Sequence, residues 1–164
     1  VFTPKSGLRA KPYHSPISDL TEGTFQEVIP DSSPIDPSAV TRLVLASGKV
    51  AHEALAARDA VGSPVAIARV EQLFPWPQEA VAAELARYPN CGEIFWLQEE
   101  PKNMGPWNGV KGWLFKAHGD RYAIHRISRR ESGSPATGKA RIHAQEQQEL
   151  LDAVLGPVRY SRED

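Results

Sequence analysis

The sequence predicts an α/β fold, a three-layer sandwich around a mostly parallel sheet of about five strands, and three observations carry that reading. Short apolar runs recur at 42–46, 65–70, 93–98 and 121–127. Between them lie segments about three turns long with apolar residues at helical spacing. Breakers such as Gly62-Ser63-Pro64 and Pro89-Asn90 separate the two patterns. Strands that alternate with helices pair in parallel through right-handed crossovers. Helices then cover both faces of the sheet, so its strands read as continuous apolar runs.

Residues 1–38 read as an arm. Prolines at 4, 12, 16, 30, 34 and 37 interrupt every candidate helix, because proline lacks a backbone donor and clashes one turn back. Within the arm, Thr24 to Ile29 alternates weakly and is a candidate edge strand. Arg42-Leu43-Val44-Leu45-Ala46 is a buried strand ended by the turn Ser47-Gly48. Val50, Ala54, Leu55, Ala57 and Val61 give the next segment a helical period, and Val65 to Val70 is the second strand. Pro77 suits the start of a helix that carries Val81, Leu85 and Tyr88 on one side, with Glu84 and Arg87 outward. Glu93 to Gln98 is the third strand. A helix over Asn108 to Ala117 follows despite Gly109 and Gly112. Arg121 to Ile127 is the fourth strand, Ser128 to Lys139 a polar loop, and Ile142 to Leu155 the last helix. The charged tail, 159–164, is expected to fray.

Composition narrows the functional classes. The 164 residues suffice for one core, and 41% hydrophobic with 24% charged residues argues against disorder. A net charge of -1 provides no field for nucleic acid or an anionic membrane. The single cysteine, Cys91, excludes an internal disulfide and a cysteine-based zinc site, and fits a reducing compartment. No apolar run approaches the roughly 20 residues that span a bilayer, and no signal-peptide pattern opens the chain. The start, Val1-Phe2-Thr3-Pro4, has no methionine. A piece of a longer protein, processing and incomplete numbering all fit it.

In a parallel sheet the useful loops follow the strand C-termini. Four qualify: Ser47-Gly48-Lys49, Glu71 to Pro77, Glu99 to Trp107, and Ser128 to Lys139. The first places a helix N-terminus where an anion is welcome, but it lacks the spacing of a phosphate loop or a dinucleotide fingerprint. In the third, Glu99 and Glu100 suggest an acid/base pair, since close carboxylates push one pKa up. Adjacent residues of a strand face opposite ways, however, so an interface or structural hydrogen-bonding role is the stronger reading. The five histidines are scattered without metal-ligand spacing, no Gly-x-Ser-x-Gly elbow occurs, and Cys91 follows a Pro-Asn turn, so no nucleophile is indicated. In the fourth loop, Arg126, Arg129 and Arg130 precede Ser132, Ser134, Thr137, Gly138 and Lys139. That group either binds a phosphate or a partner's carboxylates, or is a solvated loop paired to acids such as Glu131.

A series of motifs in chain order points further. It runs Thr3-Pro4-Lys5-Ser6 with Leu8-Arg9; Phe25-Gln26 with Val28-Ile29-Pro30; Ser47-Gly48-Lys49-Val50; Arg69-Val70-Glu71-Gln72-Leu73 with Pro75 and Pro77; Gln98-Glu99-Glu100-Pro101-Lys102-Asn103-Met104-Gly105 with Trp107; and Ala136-Thr137-Gly138 with His143, Glu146-Gln147 and Leu150-Leu151. The series resembles the C-terminal part of the thiamine-dependent 2-oxoglutarate dehydrogenase component of the 2-oxoglutarate dehydrogenase complex. Ile127-Ser128-Arg129-Arg130 and Glu146-Gln147-Gln148-Glu149 are most similar to bacterial members of the type of the actinobacterial multifunctional enzyme.

The resemblance implies a transketolase C-terminal domain-like fold over 39–158. It also implies that 1–12 end a preceding pyrimidine-binding domain and that 13–38 form a linking arm. Thiamine diphosphate and magnesium would bind in preceding domains, at a dimer interface. This chain has no Gly-Asp-Gly…Asn motif, so no catalytic, cofactor-binding or metal-binding residue is assigned to it, and no activity is expected from it alone. The whole enzyme would decarboxylate 2-oxoglutarate and pass the succinyl group to a lipoyl-bearing succinyltransferase component, as a bacterial cytoplasmic homodimer. Glu99, Glu100, Lys102, Asn103, Gly105 and Trp107 are expected to form an interface or structural loop. Arg129, Arg130, Thr137, Lys139 and His143 are the candidates for anion or partner contact. Some actinobacterial members carry an acetyl-CoA activator site partly in this domain. Here Gln72 is kept, but Gln78, Glu79 and Ala80 stand where arginines are expected, and Thr24 and Glu27 where a lysine and a serine are. An anionic ligand would lose its cationic partners, so that site is expected to be absent or much weakened. Two alternatives stand beside this reading: a non-catalytic interaction or regulatory module on the same fold, and the matching domain of a related 2-oxoacid dehydrogenase.

Overall fold

Parallel pairing organises the chain as the alternation of patterns predicts. The computed structural model of the chain describes residues 5–156, so the tail at 159–164 and the first residues of the expected 1–12 segment lie outside the described residues. The strands are β1 (Val28–Ile29), β2 (Arg42–Ala46), β3 (Ala66–Val70), β4 (Glu93–Pro101) and β5 (Ala123–Arg129), in the spatial order β1-β3-β2-β4-β5. β2 to β5 run parallel, and β1 joins the edge antiparallel with Val28 opposite Val70. The helices are α1 (Ile17–Thr21), α2 (Lys49–Val61), α3 (Gln78–Ala86), α4 (Trp107–His118) and α5 (Ala140–Leu155).

Side-chain alternation divides the interior into two cores. Leu43, Leu45, Ala68, Ile94 and Trp96 meet Val81 and Leu85 of α3 and Val110 and Leu114 of α4. Val44, Ala46, Ile67, Phe95 and Leu97 meet Val50 and Ala54 of α2 and Leu150 and Val154 of α5. All five residues of β2 are buried, as expected for a strand covered on both faces. Each large aliphatic or aromatic side chain buried this way contributes about 1.5–3 kcal/mol.

The structure moves several predicted boundaries. β4 continues through Pro101, three residues past the predicted end at Gln98, so Glu99 and Glu100 lie on strand rather than loop. β5 starts at Ala123 and takes in Ser128 and Arg129 from the predicted loop. The candidate edge strand shrinks to Val28–Ile29. Trp107 opens α4, and α5 begins two residues earlier than its apolar period, at Ala140.

The outward placement of Glu84 is corrected. Glu84 is only 3% exposed. It accepts hydrogen bonds from Tyr88 Oη at 2.8 Å, from Arg87 Nη1 at 2.8 and 2.9 Å, and from the Asp31 amide at 3.3 Å. Beside it Asp31, also buried, accepts from Arg58 Nη1 at 2.6 Å, from the Ile67 amide at 2.7 Å, and from the Ser33 hydroxyl and amide. Arg58 Nη1 also donates to the Val65 carbonyl at 3.0 Å. The charge of Glu84 suggests a solvated position, but its spacing with Val81, Leu85 and Tyr88 puts it on the buried side of α3. Arg87, Tyr88 and the Asp31 backbone supply the partners that let it turn inward. The network ties the arm to α2, α3 and β3 at the N-terminal end of the parallel strands.

Candidate functional site

Chain direction locates the site. From β2 the chain passes through α2 to β3 on one side, whereas β4 lies on the other side of β2 and leads through α4 to β5. The strand order therefore reverses between β2 and β4, and such reversals open a crevice at the strand C-termini. Gly48 makes the turn out of β2 with φ 72° and ψ -148°, a region essentially reserved for glycine.

An ion-paired cluster lies at these strand ends. Lys49 Nζ, at the start of α2, lies 2.7 Å from both Glu99 Oε1 and Glu53 Oε1. Burial works against the lysine's charge, but the two glutamates outweigh it and hold its pKa above the ordinary value. The chain of contacts continues. Gln147 Nε2 donates to Glu53 Oε2 at 2.6 Å, and Arg129 Nη2 donates to Gln147 Oε1 at 2.9 Å and to His143 Nδ1 at 3.0 Å. From the arm, the Tyr13 ring lies 4.3 Å from the His52 ring. Burial, then the nearby Glu53, raise the Tyr13 pKa. His52 Nε2 accepts from Arg69 Nη1 at 2.8 Å.

The motif that follows β4 is built around Gln98, which is 2% exposed. Its Nε2 donates to the carbonyls of Met104 at 2.8 Å and Pro101 at 3.2 Å. Its Oε1 accepts from the Trp107 amide at 3.0 Å and from Trp96 Nε1 at 3.1 Å. A shift in register between Leu97 and Pro101 marks an irregularity in β4 beside β5. Gly105 closes the loop at φ 70°, and a Cβ there would come within 2.9 Å of Glu100 Cβ. Glu99 and Glu100 diverge as strand neighbours do. Glu99 faces Lys49, whereas Glu100 is exposed. The Lys102 amide donates to the Arg129 carbonyl at 3.0 Å. Asn103 clamps the two loops together, Nδ2 donating to the Ser132 carbonyl at 2.9 Å and Oδ1 accepting from the Ser132 amide at 3.1 Å. The Arg126 guanidinium stands 5.7 Å from the centre of the Trp107 ring.

The second group of candidates divides. Arg129 is 9% exposed and turned inward, with Nε also 3.5 Å from Glu146 Oε2. Arg129, Arg130 and Thr137 line a cavity of about 140 Å³ together with Ser132, Ser134 and Glu146. Thr137 Oγ1 donates to the Lys139 carbonyl at 3.2 Å. Lys139 and His143 are exposed and are not among the residues lining the cavity. Gln72 Nε2 donates to Glu27 Oε1 at 3.1 Å and to the Pro75 carbonyl at 2.9 Å, so its amide is committed within the chain.

Sequence reasoning quoted Gln98 only as part of a motif and did not assign it a role. Gln147 likewise enters only within a motif and Lys49 only within a candidate anion turn, and Glu53 is not singled out. The one local signal was the Lys49/Glu53 spacing of four on a helix. Among the described residues, no three His, Cys, Asp or Glu side chains are grouped to hold a metal ion, and no helix is long and apolar enough to cross a membrane.

Comparison with known proteins gives one consistent answer. The chain is 40% identical over 160 residues to the 2-oxoglutarate dehydrogenase E1 component of Cupriavidus necator, covering 97% of this chain and 17% of that protein. It is 42% identical over 163 residues to the multifunctional 2-oxoglutarate metabolism enzyme of Mycobacterium sp. (strain JLS), covering 96% and 13%. It is 41% identical over 154 residues to the E1 component of Azotobacter vinelandii, covering 92% and 16%. The chain thus spans only 13–17% of the length of these relatives. Residues 14–155 match the model of the 2-oxoglutarate dehydrogenase C-terminal family, and the chain belongs to that family.

Proposed function

We propose that this chain is the bracing and dimer-forming C-terminal domain of a thiamine diphosphate-dependent 2-oxoglutarate dehydrogenase. The observation that carries the reading is the family match across 14–155, which takes in the whole described sheet. The geometry supports a bracing role: side-chain amides and ion pairs hold the strand C-termini and their loops in one arrangement, as a docking surface requires. In this reading residues 1–12 end the preceding pyrimidine-binding domain, 13–38 are the linking arm and 39–158 the domain proper. Thiamine diphosphate and magnesium bind outside this chain, where the cofactor supplies the carbanion chemistry. The end of β4 and the loop into α4, with Glu99, Glu100, Lys102, Asn103, Gly105 and Trp107, form the contact surface. Arg129, Arg130, Thr137, Lys139 and His143 serve the β5–α5 loop as anion or partner contacts. The whole enzyme acts as a bacterial cytoplasmic homodimer and hands its succinyl group to a lipoyl-bearing component.

The test compares residues 1–164 alone with the full-length enzyme. The full-length protein, supplied with thiamine diphosphate and magnesium, is expected to decarboxylate 2-oxoglutarate. The isolated residues are expected neither to bind the cofactor nor to turn over. Cofactor binding or turnover by the isolated residues would overturn the reading. Because Gln72 faces Glu27 rather than a basic side chain, acetyl-CoA is expected to change full-length turnover by less than about twofold.

A further inference from the structure

Basic side chains near the C-terminal ends of the inner strands are matched by acids. Lys49 sits between Glu53 and Glu99, and Arg69 Nη1 lies 3.7 Å from Glu71 Oε1. The cavity of about 140 Å³ between the end of β5 and the start of α5 is different. Two arginines, Arg129 and Arg130, line it against one acid, Glu146. Arg130 is exposed and forms no ion pair among the described residues.

Three features suit this cavity to an anion. The Arg129 side chain is 7% exposed, and its Nε is buried without a hydrogen bond. Its Nη2 is committed to Gln147 and His143. Glu146 Oε2 stands 3.5 Å from that Nε, an ion pair without the alignment of a hydrogen bond, and the glutamate side chain is 35% exposed. A buried charged donor in this state calls for an acceptor. Next, Ile142 and Glu146 bring the start of α5 to the same wall. Its first turn carries no acidic residue, and Lys139 at the N-cap provides no side-chain cap. The amides of 140–142 therefore have no partner within the helix, and the helix dipole favours negative charge beside them. Finally, Ser132 Oγ accepts from the Ser134 amide at 3.1 Å and keeps its own hydrogen to donate.

We infer that this cavity binds a phosphate group, free or as a phosphomonoester, with a phosphate oxygen taking the place of Glu146 at Arg129 Nε. The inference deepens the anion-contact role proposed above for the β5–α5 loop and rests on that role. Donors converge from a guanidinium in the wall, a second at the exposed rim, a hydroxyl and a helix start. That spread suits a tetrahedral dianion better than a planar carboxylate, which one pair of parallel donors satisfies. Glu146 competes with the ligand for Arg129.

The experiment uses the full-length enzyme at constant pH and ionic strength. Amide exchange of the peptide covering 138–146 is followed by mass spectrometry. Inorganic phosphate at millimolar concentration is expected to slow exchange there by at least about threefold and to leave α3 unchanged. Acetate is expected to have no effect. Glycerol 3-phosphate distinguishes the sources: protection by both ligands shows a cavity open to phosphomonoesters, and protection by phosphate alone a site for the free ion. Arg130→Gln, at an exposed position, is expected to weaken phosphate by about tenfold. Glu146→Gln is expected to tighten it by about threefold, because the competing carboxylate is gone. A damaged fold would weaken binding in both variants, so the opposite signs are diagnostic. Absence of protection by phosphate overturns the proposal, as does equal protection by acetate. Unaltered phosphate protection in Arg130→Gln, or weaker protection in Glu146→Gln, also overturns it. Turnover of 2-oxoglutarate on the same samples keeps the two readings apart. An active enzyme without phosphate protection sinks only this site, and phosphate protection without turnover sinks only the function.

Discussion

The Gln98 side chain commits its amide hydrogens and its carbonyl to the loop that follows it and to the Trp96 indole. An aliphatic residue of similar size cannot satisfy those groups. Gln98→Leu would leave the Trp107 amide and the Met104 and Pro101 carbonyls without this partner in a water-poor site. The expected cost is about 2–4 kcal/mol. Urea unfolding of the variant and the parent chain measures it directly, and a loss below about 0.5 kcal/mol would show the loop to be held by something else. Glu99 and Glu100, the more conspicuous residues of the motif, have different surroundings. Glu99 is one of two carboxylates on Lys49, and Glu100 lies at the surface beside Gly105.

At the scale of elements, the C-terminal ends of β4 and β5 are joined through their loops as well as their ladder. Asn103 makes a two-way clamp to the backbone of Ser132, and the Lys102 amide bonds to Arg129. Asn103 is exposed, so its removal costs little global stability. Asn103→Ala is expected to speed amide exchange at Ser132 by about tenfold while the unfolding midpoint moves little. Unchanged exchange would mean that the clamp is not formed in solution. α2 joins both ends of the sheet: Lys49 and Glu53 near its start meet β4 and α5, and Arg58 near its end meets the arm.

Whole-molecule behaviour should depend on pH through Asp31. Burial raises its pKa, but the Arg58 guanidinium, Ser33 and the Ile67 amide together outweigh burial and hold it below the ordinary value. A carboxylate with a depressed folded pKa contributes stability that is present above its unfolded pKa, 3.8, and lost as pH falls through the lower folded value. Asp31→Asn is expected to flatten that acid limb. It should also destabilise the chain by about 3–5 kcal/mol at neutral pH, since Arg58 is left buried without its carboxylate. Unfolding at several pH values tests both parts, and an acid limb as steep as that of the parent would count against Asp31. Under the proposed function, Glu100→Ala in the full-length enzyme is expected to raise the dissociation constant of the proposed dimer by about tenfold, equivalent to about 1.4 kcal/mol. Turnover at saturating cofactor should change less than that. Analytical ultracentrifugation and steady-state kinetics distinguish the two, and intact assembly with a large loss of turnover would contradict the bracing role.

The alternation of apolar runs with helical periods was sufficient to determine the layers and the parallel sheet, because a strand covered on both faces has no polar side to show. The motif order was likewise legible, and it pointed to the family to which the chain belongs. Boundaries slipped where polar residues continue a strand. Glu99 and Glu100 extend β4, and Ser128 and Arg129 extend β5, because backbone pairing does not require apolar side chains. Partners distant in sequence lay beyond local reading. Gln147 finds Glu53 across 94 positions, and Asp31 finds Ile67 across 36. Glu84 shares the helical side of Val81, Leu85 and Tyr88, and its charge masked that signal; Arg87 and Tyr88 partner it locally, and only the Asp31 amide reaches it from far in the sequence. The sequence alone determined the elements and their layering through local periodicity, and tertiary structure decided which polar groups meet, because buried groups such as Arg58 and Gln147 take partners that lie on other elements.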